Sequence, residues 1–298
     1  MGIYVEIPIR CSMEDLWEKT QSPELHQEWD LRFSQIEYLP RNPEEPQKFL
    51  YRTRIGFGLA IDGSGESTGS KDADGVRTSS LKFWSADAKS LIKTGSGYWK
   101  YVPTGDSIRF FTWYDYETRF GALGKVVDRL IFRPLLEWAT AWSFDRLRLW
   151  IERGISPDIS RDRALIYSLA RGTVAFIWFY HGLVPKLIRH DPAELDLLSR
   201  VVTSPNWLMT AVNVVGWTEI FFALVLIVFW RHRWPLWVTL VFMLLGIPAV
   251  AISAPGYLGA AFNPLTLNLA VAALSAVALA AGRDLATAAR CRRKPARS

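Results

Sequence analysis

Cysteine is nearly absent: Cys11 and Cys291 are the only two in 298 residues. They lie at opposite ends of the chain with no CxxC and no Cys/His ligand spacing, which excludes a disulfide framework and a zinc site. Histidine is almost as scarce, with four residues, and His26 is the only one before Arg161. No Ser-His-Asp or Cys-His arrangement can be assembled, so the residues assign no catalysis. His26 itself reads as a helix-surface residue. The first 160 residues also lack any apolar run longer than a few residues. The start, MGIYVEIPIRCSMEDLW, has no apolar h-region, so no signal peptide is expected and the first half is expected in the cytoplasm.

The charge is distributed unevenly. The net charge is +6, yet up to Arg163 there are 23 Lys/Arg against 24 Asp/Glu, leaving 12 against 5 for the remainder. The basic pI near 9.3 therefore belongs to the second half. A nucleic-acid partner would need a basic face on the soluble half, which has no net positive charge. Positive charge flanking membrane spans accounts for the excess instead.

The first half alternates before it turns helical. Ile3, Val5, Ile7 and Ile9 share one face of a strand. Ser12 is a helix N-cap before acids in the first turn, and Ser22-Pro23 opens a second short helix. About six strands follow. Their alternation offers Phe49, Tyr51, Leu81, Phe83, Trp99, Tyr101, Phe111 and Trp113 as the lining of an apolar ligand site, or else as core packed on Trp138 and Trp142. Asp72-Ala73-Asp74-Gly75 is a hairpin turn. The GxGxxxG from Gly63 to Gly69 lacks the Lys-Ser/Thr and the following helix of a phosphate loop. From Gly121 to Glu152 the period changes to three and four. Leu123, Val126, Val127, Leu130, Ile131, Leu135, Trp138 and Trp142 form the apolar stripe of a long helix, bent at Pro134.

This order, with Val5-Glu6-Ile7-Pro8, Leu16-Trp17, Ser22-Pro23-Glu24-Leu25-His26, Trp29-Asp30 and the helix end Phe144-Asp145-Arg146-Leu147, resembles the START-like superfamily, also called SRPBCC or polyketide-cyclase-like, over 1–155. The resemblance implies an α+β helix-grip, a curved antiparallel sheet around the long helix, often with an apolar cavity. It supplies no universal catalytic residue.

The second half reads as four apolar segments: Ala164–Pro185, Trp207–Trp230, Trp234–Ser253 and Pro264–Gly282. Each is long enough to cross a hydrocarbon core of about 30 Å. Alanine, glycine and serine in the last favour close helix packing. Arg161 and Arg163, then Arg231 and Arg233, then Arg283, Arg290, Arg292, Arg293, Lys294 and Arg297 fall on one side of a four-span topology. That predicts cytoplasmic termini in an inner membrane, with 284–298 as a basic tail. Five polar residues lie within or at the ends of the spans: Arg171, His181, Lys186, Asn213 and Glu219. At 1.5 Å per residue, Arg171 and Glu219 come out roughly 10 and 15 Å deep, and His181 and Asn213 both about 25 Å. An Arg171–Glu219 pair and a His181–Asn213 layer are therefore expected, either as a clamp between helices or as a proton or quinone-headgroup site.

Arg171-Gly172, Trp178-Phe179-Tyr180-His181-Gly182-Leu183-Val184-Pro185-Lys186-Leu187 and Gly216-Trp217-Thr218-Glu219 resemble the DoxX-like four-helix membrane family, over 163–283. The resemblance implies an all-α transmembrane bundle, with redox chemistry and quinones in some relatives. The combined expectation is a non-enzymatic, membrane-tethered protein that binds an apolar small molecule, a lipid or isoprenoid, and exchanges it with the lipid bilayer, without a cofactor. The alternative is a quinone-linked oxidoreductase subunit with a membrane redox partner.

Overall fold

The computed structural model describes residues 2–295. The chain divides into two units. One takes the residues up to Ser160 and again from Ala286; the other is Arg161–Leu285.

The first unit opens with β1 (Ile3–Ile9), whose four isoleucine and valine side chains are buried as the alternation requires. Helices α1 (Met13–Gln21) and α2 (Pro23–Trp29) follow. The hydroxyl of Ser12 accepts the Asp15 N–H at 3.1 Å, capping α1. Six more strands come next: β2 (Gln35–Tyr38), β3 (Lys48–Gly56), β4 (Leu59–Ala73), β5 (Val76–Trp84), β6 (Ile92–Thr104) and β7 (Ser107–Thr118). All pair antiparallel in the order β1-β7-β6-β5-β4-β3-β2. Asp74 and Gly75, both at positive φ, turn β4 into β5, as a two-residue hairpin loop requires.

The long helix is α3 (Gly121–Val127), a π-helical turn (Asp128–Phe132) and α4 (Arg133–Arg153). The widened turn ends just before Pro134, which has no N–H to continue the α-helical ladder. Gly154 stops α4 at φ 63°, its N–H returned to Leu149 and Trp150. On the sheet side, the Tyr114 and Thr140 hydroxyls share a hydrogen bond at 2.9 Å, and Phe144 stacks on Phe110 at 4.5 Å. A seven-stranded antiparallel sheet carrying two short helices and a long C-terminal helix is the helix-grip arrangement that the START-like resemblance implies.

As far as Trp138 the long helix presents the opposite face from the one its pattern predicts, whereas Trp142, the last residue of the stripe, is buried. Asp128, Thr140, Ser143, Asp145 and Arg146 are buried, while Leu123, Val126, Val127, Leu130, Ile131, Leu135 and Trp138 are exposed. Tyr116 of β7 donates to Asp128 at 2.6 Å, and Arg146 donates to the carbonyls of Glu28 and Trp29 in α2 and of Pro157. Buried polar groups must find partners, and here β7, α2 and the residues after α4 supply them. Trp138 and Trp142 are therefore not the core of the sheet: Trp142 donates to the Ala286 carbonyl instead.

The segment after Ala286 is not a loose basic tail. Arg292 and Glu6 exchange backbone hydrogen bonds at 2.9 Å in both directions. This pairs the edge of β1 away from β7 and so protects an open strand. The Thr287 N–H meets Asp145 at 2.8 Å, and the Cys291 thiol donates to the Ala141 carbonyl at 3.2 Å. Arg297 lies outside the described residues.

The second unit contains most of α5 (Pro157–His181), a π-helical segment (Gly182–Ile188), α6 (Pro192–Ser199), α7 (Pro205–Val228), α8 (Trp234–Ser253) and α9 (Pro264–Ala281). Among the described residues three helices, α7, α8 and α9, are long and apolar enough to cross a membrane. α5 has the length, but Arg171 and its polar neighbours dilute it. Tyr167, Val174, Trp178, Leu226, Leu236, Val271 and Ala278 form the core of this unit.

Candidate functional site

The first candidate is the helix-facing side of the sheet. The register places Phe49 opposite Gly65 and Tyr51 opposite Gly63, and Phe83 opposite Gly95. A Cβ at Gly63 would lie 2.2 Å from the Tyr51 ring, and Cβ atoms at Gly65 and Gly95 would be as close to Phe49 and Phe83. The Gly-rich strand is thus a floor on which aromatic rings lie flat. Phe49, Tyr51, Leu81 and Phe83 stay only half-buried, while Trp99 and Tyr101 are buried. The other two sequence candidates face the wrong way. Ile108, Phe110, Thr112, Tyr114 and Tyr116 are the buried set of β7, so Phe111 and Trp113 point to the outer side. There they pack on Tyr98. A one-residue error in parity moves every side chain of a strand to the other face.

His26 was missed. It is no helix-surface residue: its side chain is 13% exposed, and its Nε2 lies 3.0 Å from Asp30 Oδ2. The ring stacks on Trp29 at 5.1 Å and meets Trp99 edge-on at 4.8 Å and Phe33 edge-on at 5.1 Å. Asp30 is fully buried and bonded through both oxygens by Arg32, at 2.9 and 2.6 Å. Burial pushes the Asp30 carboxyl up, but the Arg32 charge outweighs it and holds the group far below the usual carboxylate range. Burial lowers the His26 imidazole, against the opposing pull of Asp30. An ionised Asp30 can only accept, so Nε2 carries the hydrogen and the neutral ring keeps a lone pair on Nδ1. The signal in the sequence was the i, i+4 spacing of His26 and Asp30 on one helix face.

In the membrane half the expected Arg171–Glu219 pair does not form. Arg171 is fully buried and donates to the carbonyls of Leu226, Phe229 and His232, each at 2.8 Å. It also meets the Tyr167 hydroxyl at 2.5 Å. The Leu226 and Phe229 carbonyls end α7, where unpartnered oxygens and the negative end of the helix dipole attract a cation, and that of His232 lies in the turn to α8. The guanidinium is thus a helix cap. Equal depth on two helices does not fix which way either side chain points.

Glu219 pairs with Lys186, at 3.2 Å, and the same ammonium lies 3.2 Å from Glu194. Lys186 is buried, and Oε2 of Glu219 makes its ion contact without an aligned hydrogen bond. The π-helical segment containing Pro185 carries Lys186, while α6 supplies Glu194. The His181–Asn213 layer is absent as well: Asn213 takes His190, Oδ1 to Nε2 at 3.0 Å. Two carboxylates share one ammonium.

Residues 175–276 match the DoxX-like family. Over 199 residues the chain is 49% identical to the uncharacterized membrane protein YndG of Bacillus subtilis (strain 168), covering 65% of this chain and 74% of that one. The two are members of one family. The DoxX-like match contains Gly216-Trp217-Thr218-Glu219 and Gly182 to Lys186, the two stretches that hold the buried charge cluster. Two solved structures align with the START-like half. A STAR-related lipid transfer protein from Xanthomonas axonopodis is 14% identical, covers 51% of this chain and 86% of its own, and gives a TM-score of 0.40. Norcoclaurine synthase from Thalictrum flavum is 20% identical, covers 48% and 84%, and gives 0.34. The helical half thus carries a DoxX-like match, and it follows a separate antiparallel-sheet domain.

Proposed function

We propose that this is a membrane-anchored binding protein whose START-like domain takes up an apolar small molecule, a lipid or isoprenoid, and exchanges it with the bilayer. One observation carries the reading: Phe49, Tyr51, Leu81 and Phe83 line the helix-facing side of the sheet yet remain half-buried. Burying such side chains gains about 1.5–3 kcal/mol each, so a face left half-open gains by accepting an apolar guest. Two exposed apolar surfaces support exchange. One is the stripe from Leu123 to Trp138; the other is the β3–β4 tip, where Ile55, Phe57 and Leu59 stand in solvent. Contiguous exposed apolar surface marks an interaction site, and a membrane-tethered domain has a bilayer within reach.

The same reading takes α5 as a fourth crossing, making the membrane half a four-helix bundle in an inner membrane. The Lys/Arg groups at 161–163, 231–233 and 283–294 then fall on the cytoplasmic side with both termini. Reporter fusions after Arg292 and at Gly256 test this: a periplasm-active reporter after Arg292 would sink it. Native mass spectrometry of gently purified protein tests the ligand, and co-purifying lipid or isoprenoid is the expected result. A second reading, a quinone-linked redox subunit, is favoured by the Lys186–Glu194–Glu219 cluster, which could hold a quinone headgroup. Co-purifying quinone would favour it.

A further inference from the structure

The outer side of the long helix is an apolar ridge left open among the described residues. Leu123 and Leu130 are each 70% exposed and Ile131 is 64% exposed, and Val126, Val127 and Leu135 are exposed with them. A contiguous apolar patch of this kind marks an interaction surface. The charge beside it is of one sign. Between Gly121 and Leu136 the sequence has three basic residues and one acid, Asp128. That acid is buried and bonded to Tyr116 and Arg133. Lys125 and Arg129, four residues apart, are exposed and have no ion-pair or hydrogen-bond partner among the described residues. The ridge also has a defined end. Trp138 stacks on Trp142 at 6.1 Å, and the Trp142 indole N–H donates to the Ala286 carbonyl. Ala286 follows by five residues the end of α9, a candidate membrane span, at Ala281.

We infer that the long helix lies along the surface of an anionic bilayer, with the ridge from Leu123 to Trp138 in the headgroup layer and Lys125 and Arg129 at lipid phosphates. The inference rests on the membrane-anchored part of the proposed function and deepens it; it needs no bound ligand. A helix with an apolar face and flanking cations sinks that face to the boundary of the acyl chains, while its basic side chains reach back to the headgroups. Each such cation adds attraction to anionic lipid. A five-residue link reaches at most roughly 18 Å, which keeps the Trp142 end of the ridge close to the surface where α9 leaves the bilayer. A second copy fits less well, because ridge against ridge would enclose the same unpaired cations on both partners.

The test places a nitrobenzoxadiazole label at Ile131→Cys, in the full chain carrying Cys11→Ser and Cys291→Ser, in nanodiscs of phosphatidylglycerol and phosphatidylcholine in equal parts. Doxyl-labelled lipid should quench it several-fold more than the same label at Lys82→Cys. Lys82 alternates with Leu81 and Phe83, and so sits on the sheet face away from the helix. Discs of phosphatidylcholine alone, or Lys125→Glu with Arg129→Glu, should remove most of that difference. Where the labelled chain does not fold, amide hydrogen exchange over 121–136 in the unaltered protein serves instead, and should be slower in the anionic discs. Equal quenching at the two sites, quenching indifferent to lipid charge, or equal exchange in the two kinds of disc overturns the inference. Lipid or isoprenoid co-purifying with such a protein would leave the ligand reading standing. A chain recovered free of the discs overturns both.

Discussion

Gly182 and Gly216 meet backbone to backbone: a Cβ on Gly182 would lie 2.5 Å from the Gly216 carbonyl oxygen, and one on Gly216 would lie 2.9 Å from that of Gly182. This contact sets the distance between the π-helical segment and α7, and Lys186 and Glu219 meet one turn further along each. The two glycines explain why both short motifs of the membrane half are built as they are. Small residues let membrane helices approach closely enough for side chains to pair across them.

Gly216→Ala and Gly182→Ala should each destabilise the membrane half by about 1–3 kcal/mol, because the added methyl meets backbone that cannot turn aside. Gly172→Ala is the control, since nothing lies within 4 Å of its Cβ position. Thermal unfolding in detergent reads the difference. Equal midpoints for Gly216→Ala and Gly172→Ala would show that the contact is looser than described.

Removing the cap at the end of α7 should be costly. Arg171→Leu leaves the Leu226, Phe229 and His232 carbonyls without their donor, an expected loss of about 3 kcal/mol or more. Arg171→Lys should recover only part, because an ammonium cannot spread its donors as a guanidinium does.

Double-mutant cycles should separate the two charge sites. Arg171→Leu with Glu219→Leu is expected to be additive within about 0.5 kcal/mol, whereas Lys186→Met with Glu219→Leu should couple by roughly 1–3 kcal/mol. Strong coupling between Arg171 and Glu219 would contradict the arrangement of both sites.

Acid should weaken the sheet domain through His26. Burial lowers the folded imidazole below its ordinary 6.5, so below about pH 6.5 the unfolded chain binds the proton first and stability falls as pH falls. Above that pH the contribution is complete. The midpoint of sheet unfolding, followed by circular dichroism, should drop between pH 7.5 and 5.5 by more in the unaltered protein than in His26→Phe. Parallel profiles would mean that His26 titrates normally.

Both thiols should be slow to react. Burial pushes Cys11 and Cys291 up to about 12, leaving little thiolate at pH 7.5. Maleimide should label neither within minutes until the chain is unfolded with a denaturing detergent. Arg292→Pro removes the N–H that Glu6 accepts and should speed labelling of Cys291 several-fold. Immediate labelling of native Cys291 would show that the segment is not docked on α4 and β1.

Local pattern determined a great deal by itself. The Ile3–Ile9 alternation, the Ser12 cap, the Asp74-Gly75 turn and three of the four long apolar runs each have a cause within a few residues, and each is present in the structure. What needed the tertiary structure was direction and partnership. Phe111 and Trp113 alternate as regularly as Phe110 and Tyr114, and only the pairing of β7 between β1 and β6 decides which set faces the helix. The stripe from Leu123 to Trp138 has helical spacing, but polar groups on the other face found partners on β7, α2 and the segment after Ala286, and that face is the buried one. His26 became a buried, oriented base through Trp29, Trp99 and Asp30, two of which are its near neighbours in sequence and one of which lies seventy-three residues away. Arg171 and Glu219 are expected at similar depth, yet depth is one coordinate. The rotation of each helix, set by the Gly182–Gly216 contact and by the end of α7, gave one charge a row of carbonyls and the other a lysine.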